Sequence, residues 1–135
     1  MNYDVIDIEG VGESYAKKLH GVDINTTEEL LQFCSTPANR KNLSEATGIS
    51  PKLILKWTNH ADLFRIKGVG PQFAELLEAS GVDTVKELRH RKAENLATRL
   101  AEVNDARHLT RRVPSVTEVQ KMIDEAANLE PVIKY

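Results

Sequence analysis

Two short turns in this 135-residue chain could carry chemistry: Gly10-Val11-Gly12 and Gly68-Val69-Gly70. Glycine tolerates positive φ and lets a second backbone come close. A valine between two glycines can plug a core while the turn around it stays near the surface. Where such a turn runs into a helix, its N–H groups and those of the first helical turn lack intrahelical acceptors. Together with the helix dipole they make a small anion site. A nucleic-acid phosphate is the obvious ligand, and such contacts carry no base-sequence information. The residues assigned to this site are Lys67, Gly68, Val69, Gly70 and Gln72 in the second turn. A weaker copy in the first turn comprises Gly10, Val11, Gly12, Ser14 and Lys17.

The elements that must position these turns are legible through an internal repeat. Sliding the chain against itself by 58 positions lays Ile8–Leu30 on Ile66–Leu88 with nine identities in 23 pairs, far above chance. Both glycines of each turn, Ala16 over Ala74, Leu19 over Leu77 and the T-x-x-E-L endings coincide. Gly21 and Gly81 do not coincide, so the two helices after the turns are expected to end at different points. Capping boxes are predicted at Thr26/Glu29, Thr84/Glu87 and Ser115/Glu118. Thr36-Pro37 and Ser50-Pro51 put a capping hydroxyl before proline at the first helical position. Gly48 and Gly81 suit helix C-termini. Leu53, Trp57, Ala61 and Phe64 recur at helical spacing and predict one buried stripe, with Trp57 in the core. No alternating strand pattern of useful length occurs. The expectation is about eight short helices and no sheet, in one domain of two pseudo-repeats, residues 1–63 and 64–135, with hairpins at 8–20 and 64–79.

The motif apolar-x-Gly-apolar-Gly-x-x-aromatic-Ala-x-x-Leu resembles the helix-hairpin-helix family. Its double occurrence resembles the tandem arrangement of many DNA-repair and replication proteins. The segments Thr47–Trp57 (T-G-I-S-P-K-L-I-L-K-W) and Ala61–Leu77 (A-D-L-F-R-I-K-G-V-G-P-Q-F-A-E-L-L) are also similar to a small uncharacterised family of double helix-hairpin-helix proteins. The resemblance implies an all-α fold, SAM-domain-like or tandem helix-hairpin-helix. It also implies non-specific contact with the duplex backbone across the minor groove. Family hairpins sometimes hold a monovalent cation on their carbonyls. Many have a basic residue two positions after the second glycine, where this chain has Ser14 and Gln72, a departure that points to modest affinity.

Charge separates the two turns. Lys67 precedes Gly68, whereas Glu9 and Glu13 flank the first turn, with Asp4 and Asp7 upstream. A carboxylate facing a phosphate costs on the order of 1 kcal/mol or more. The net charge of −2 is unevenly spread. Residues 86–112 hold eight Lys or Arg against four acids, and Arg107, Arg111 and Arg112 are assigned to a phosphate-tracking patch beside the second turn. No aromatic interleaves with these charges, so stacking on single strands is not expected.

Other chemistries find little support in the residues. His20, His60, His90 and His108 are dispersed, and with one cysteine a structural zinc is not expected. Cys34 reads as a small core residue and cannot form an internal disulfide, which fits a reducing compartment. No nucleophile triad or P-loop is present, and G-V-G-x-x-x-A does not complete a dinucleotide fingerprint. Helix-hairpin-helix glycosylases need a base pocket ahead of the hairpin and an acid after it. The chain is too short for that pocket, and Asp83 falls in a cap position. With 41% hydrophobic and 28% charged residues and no long apolar run, an ordinary cytoplasmic globular protein without membrane spans is expected. The combined expectation is a non-enzymatic protein with no cofactor, metal or small-molecule substrate, which binds the duplex DNA backbone weakly and without sequence preference. The alternative is a protein-interaction or scaffold module in which the hairpins are structural.

Overall fold

Among the described residues, eight α-helices account for most of the chain: α1 (Gly12–His20), α2 (Thr27–Phe33), α3 (Pro37–Thr47), α4 (Pro51–Leu63), α5 (Pro71–Ala79), α6 (Val85–Leu88), α7 (Ala93–Arg107) and α8 (Val116–Ala127). The computed structural model describes residues 2–135, and among these there is no strand. A single 3-10 turn, Val5–Asp7, precedes α1. One isolated antiparallel bridge, Asp4 to Thr26, ties the N-terminal segment to the start of α2. The chain is all-α.

The caps form largely where the sequence places them. Thr26/Glu29 and Ser115/Glu118 are complete capping boxes. Thr36 and Ser50 accept from Asn39 N–H and Lys52 N–H, each ahead of a proline in the first turn. Gly48 ends α3 at φ +75. The Thr84/Glu87 box is only half formed: Thr84 Oγ1 accepts from Glu87 N–H at 3.2 Å, but the Glu87 carboxylate turns to Arg91. The acid that helps to cap α6 is not the adjacent Asp83 but Asp62 on α4, which accepts from Val85 N–H at 2.8 Å.

The 58-residue offset carries into backbone geometry. Ile8/Ile66, Val11/Val69, Ala16/Ala74, Leu19/Leu77, Ile24/Val82 and Leu30/Leu88 are all buried. Gly10 and Gly68 take φ +88 and +89. Val11 and Val69 each donate an N–H to the isoleucine three residues back, at 3.2 Å in both cases. Gly12 and Gly70 differ, at φ +69 and −99, because Pro71 restricts the residue before it to extended conformations. The expected mismatch of the helix ends is corrected in part. Gly81 stands at φ +94, and the residue 58 positions earlier is Asp23 at φ +63, so an aspartate does in the first half what a glycine does in the second. Asp and Asn visit the left-handed region more readily than other residues with a side chain.

Buried apolar residues from Val5 to Ala126 form one continuous cluster, with α4 at its centre. This helix packs on α2, α3 and α5. Of the predicted stripe, Trp57, Ala61 and Phe64 are buried and Leu53 half-buried. From Trp57 to Phe64, however, every residue is buried, including Thr58, Asn59, His60 and Asp62. A helix enclosed on all sides must satisfy its polar groups internally. Thr58 Oγ1 donates to Ile54 O, Asn59 Oδ1 accepts from the Tyr135 hydroxyl, and Asp62 accepts from both Val85 N–H and Arg65. His60 has no such partner.

Candidate functional site

Leu63, Phe64, Ile66 and Val69, none with more than 0% exposure, anchor the second glycine turn from beneath. Lys67 and Gly68 stand on the surface and Gly70 is half-buried. The turn borders an open cleft of about 1120 Å³. The rest of its lining comes from α8 between Glu118 and Glu125, from the segment Thr110–Pro114, and from Tyr3, Asp7 and Glu9 of the N-terminal segment.

The backbone inventory of this turn is specific. Val69 N–H is used internally, by Ile66 O. Lys67 N–H donates to Glu125 Oε2 of α8 at 3.0 Å. Gly68, Gly70 and Gln72 N–H have no acceptor among the described residues, and Pro71 has no N–H to satisfy. A carboxylate therefore already sits on one N–H of the turn, and those of Gly68, Gly70 and Gln72 remain open beside it. The first turn holds a similar set: Val11 N–H is used by Ile8 O, while Gly10, Gly12 and Ser14 N–H are open among the described residues.

Of the residues assigned from the sequence, Lys67, Gly68, Gly70, Gln72 and Arg112 line the one cleft. Val69 does not: both its side chain and its N–H are committed to the interior, and the same holds for Val11. Arg107 and Arg111 are exposed but lie outside the cleft lining. Gly10, Gly12, Ser14 and Lys17 are exposed and also outside it, although their neighbours Asp7 and Glu9 are on its rim. Arg112 is not an isolated cation. Its guanidinium donates to both Glu118 oxygens, at 2.9 and 2.6 Å. Those bonds, with Ser115 N–H, hold the Glu118 carboxyl down at about 2.

Helix α8 supplies the residues that sequence reasoning did not place here: Glu118, Lys121, Met122 and Glu125. The cleft thus carries four acids (Asp7, Glu9, Glu118, Glu125) against three bases (Lys67, Arg112, Lys121). The helical spacing of four and then three residues along α8 could have indicated that Glu118, Met122 and Glu125 share a face; which surface that face would meet was not written locally.

No helix among the described residues is long and apolar enough to cross a membrane. No curated protein and no solved structure matches the chain. One family does match, over residues 9–129, and its description is "Domain of unknown function (DUF4332)". With nearly the whole chain covered by that match, this protein belongs to the DUF4332 family.

Proposed function

We infer that this protein binds the backbone of duplex DNA, weakly and without sequence preference, through two helix-hairpin-helix turns. The observation that carries the reading is the pair of open N–H sets, Gly68/Gly70/Gln72 and Gly10/Gly12/Ser14, at the two G-V-G turns. Each set leads into a helix N-terminus and is held from below by a buried valine. Exposed Lys67 favours the second turn, while Glu9 and Glu13 weaken the first. The action is binding, with no catalytic step.

A fluorescent duplex titrated with the full chain tests this, using two unrelated sequences. Non-specific affinity of about 10⁻⁴ to 10⁻⁶ M is expected, equal for both duplexes. If roughly three to five phosphates are engaged, log K falls with log salt at a slope of about −3 to −4. The triple change Lys67→Glu, Arg111→Glu, Arg112→Glu abolishes binding while the helical signal persists. Glu125→Gln strengthens it, because a negative charge leaves the open N–H groups. Absence of binding at about 50 mM salt overturns the reading, as does affinity that survives the triple change. The mixed charge of the cleft, with half-buried Tyr3, Phe73 and Met122 in it, favours a protein-docking module as the second reading, and that module would leave DNA unbound at low salt.

A further inference from the structure

Helices α4 and α5 pack against each other at a cluster that the hairpins do not use. Glu75 and Glu78 lie three residues apart on α5, so both side chains project from one face. His60 comes to that face from α4 with no exposed area. Its Nε2 is 3.2 Å from Glu78 Oε2 and 3.8 Å from Glu75 Oε2. Neither ring nitrogen makes a hydrogen bond among the described residues. Native interiors rarely leave a buried ring nitrogen without a hydrogen bond, so the two carboxylates at ion-pair distance are the groups that must compensate it.

The contact to Glu78 is at hydrogen-bond distance, yet the pair does not meet hydrogen-bond geometry. Two ligands of a shared ion have this relation, because the ion occupies the nitrogen's lone-pair direction and the second ligand stands to its side. A tetrahedral centre with bonds of about 2.1 Å separates its donors by about 3.4 Å. The observed 3.2 and 3.8 Å bracket that spacing, and one donor atom from each of the three residues lies within 4.8 Å of the others. Lys56 Nζ takes the opposite oxygens, 3.1 Å from Glu78 Oε1 and 3.8 Å from Glu75 Oε1. Both Oε2 atoms are left to His60, and the outer oxygens are held as those of metal-binding carboxylates commonly are.

We propose that His60, Glu75 and Glu78 form a binding site for a divalent transition ion of the zinc class, bridging α4 and α5, with a fourth coordination position open to water. One imidazole and two carboxylates suit Zn²⁺ or Co²⁺ better than the harder Mg²⁺ or Ca²⁺. The site stands independently of the DNA reading.

Titration of the metal-stripped full chain with Zn²⁺, and separately with Co²⁺, tests it near neutral pH. The His20→Ala, His90→Ala, His108→Ala background removes the other histidines. The expected result is one ion per chain, visible absorption typical of four-coordinate Co²⁺, and a Zn²⁺-dependent rise in Tm. Glu75→Gln and Glu78→Gln each lower affinity at least about tenfold. In the native chain, Co²⁺ broadens the His60 ring resonances, a readout that depends on no variant. An imidazolium ion-paired to two carboxylates would produce none of these signals. Absence of stoichiometric uptake overturns the proposal. So does uptake that leaves the His60 resonances unmoved, or uptake unchanged in a folded Glu78→Gln chain.

Discussion

At Gly68 the backbone stands at φ +89 with nothing within 4 Å of where a Cβ would be, whereas at Gly70 it stands at −99 with the Tyr3 hydroxyl 3.6 Å away. The two glycines of one turn therefore have different physical reasons to be glycine. A side chain at Gly68 is strained by its backbone alone, about 1–2 kcal/mol, however much room it has. A side chain at Gly70 meets ordinary van der Waals contact in a conformation open to any residue. Gly68→Ala is thus expected to lower stability in denaturant by about 1–2 kcal/mol, and Gly70→Ala to change it by less than about 1 kcal/mol. Equal losses would show that conformation is not what distinguishes them. Cys34 belongs to the same scale: burial raises its thiol to about 11, so it acts as a small apolar residue.

Among the elements, α8 illustrates how one end of a helix couples to its surroundings. Ser115 and Glu118 close its capping box, and Arg112 clamps the same glutamate from the preceding loop. Because the folded-state carboxyl sits at about 2, below its ordinary value of 4.5, the unfolded chain takes up the proton first. The stabilisation is complete above about pH 4.5 and is lost as pH falls toward 2. Arg112→Gln should therefore flatten the decline of Tm across that window, relative to the native chain. A parallel decline in both would mean that the clamp contributes nothing in the folded state. The same helix brings Glu125 to Lys67 N–H, so the caps of α8 help decide how much of the glycine turn stays open.

At the scale of the whole molecule, the C-terminal segment closes over the first half of the chain. Buried Arg40 donates to Cys34 O at 2.9 Å and to Lys134 O at 2.7 Å, Lys134 N–H donates to Ser35 O, and the Tyr135 hydroxyl donates to Asn59. Arg65 adds a bond to Glu130 O. Arg40→Leu fills similar space but leaves two carbonyls without their donor, at a cost of about 2 kcal/mol. The loss should be accompanied by faster modification of the Cys34 thiol in the folded state, since the same guanidinium joins the two segments. A stability loss with no change in thiol modification would place the damage elsewhere.

Interactions of short sequence range were legible from residue types alone: helix periods, hydroxyl-proline starts, two complete capping boxes, and glycines with positive φ at 10 and 68. Each depends on groups within about four residues, whose spacing the helix itself sets. The left-handed residue at Asp23 was missed because an aspartate stands in a glycine's place. Which parts of the assigned site come together depended on tertiary structure. The sequence put Lys67, Gly68 and Arg112 in one patch, but not Glu125 on the neighbouring N–H, nor Asp7 and Glu9 on the same cleft. The same limit hid Asp62 at the start of α6 and His60 between Glu75 and Glu78. These pairs depend on the angles and separations at which helices pack, which side chains from distant segments decide jointly. The sequence by itself determined the helices and their turns; only the packed molecule decided which charges face them.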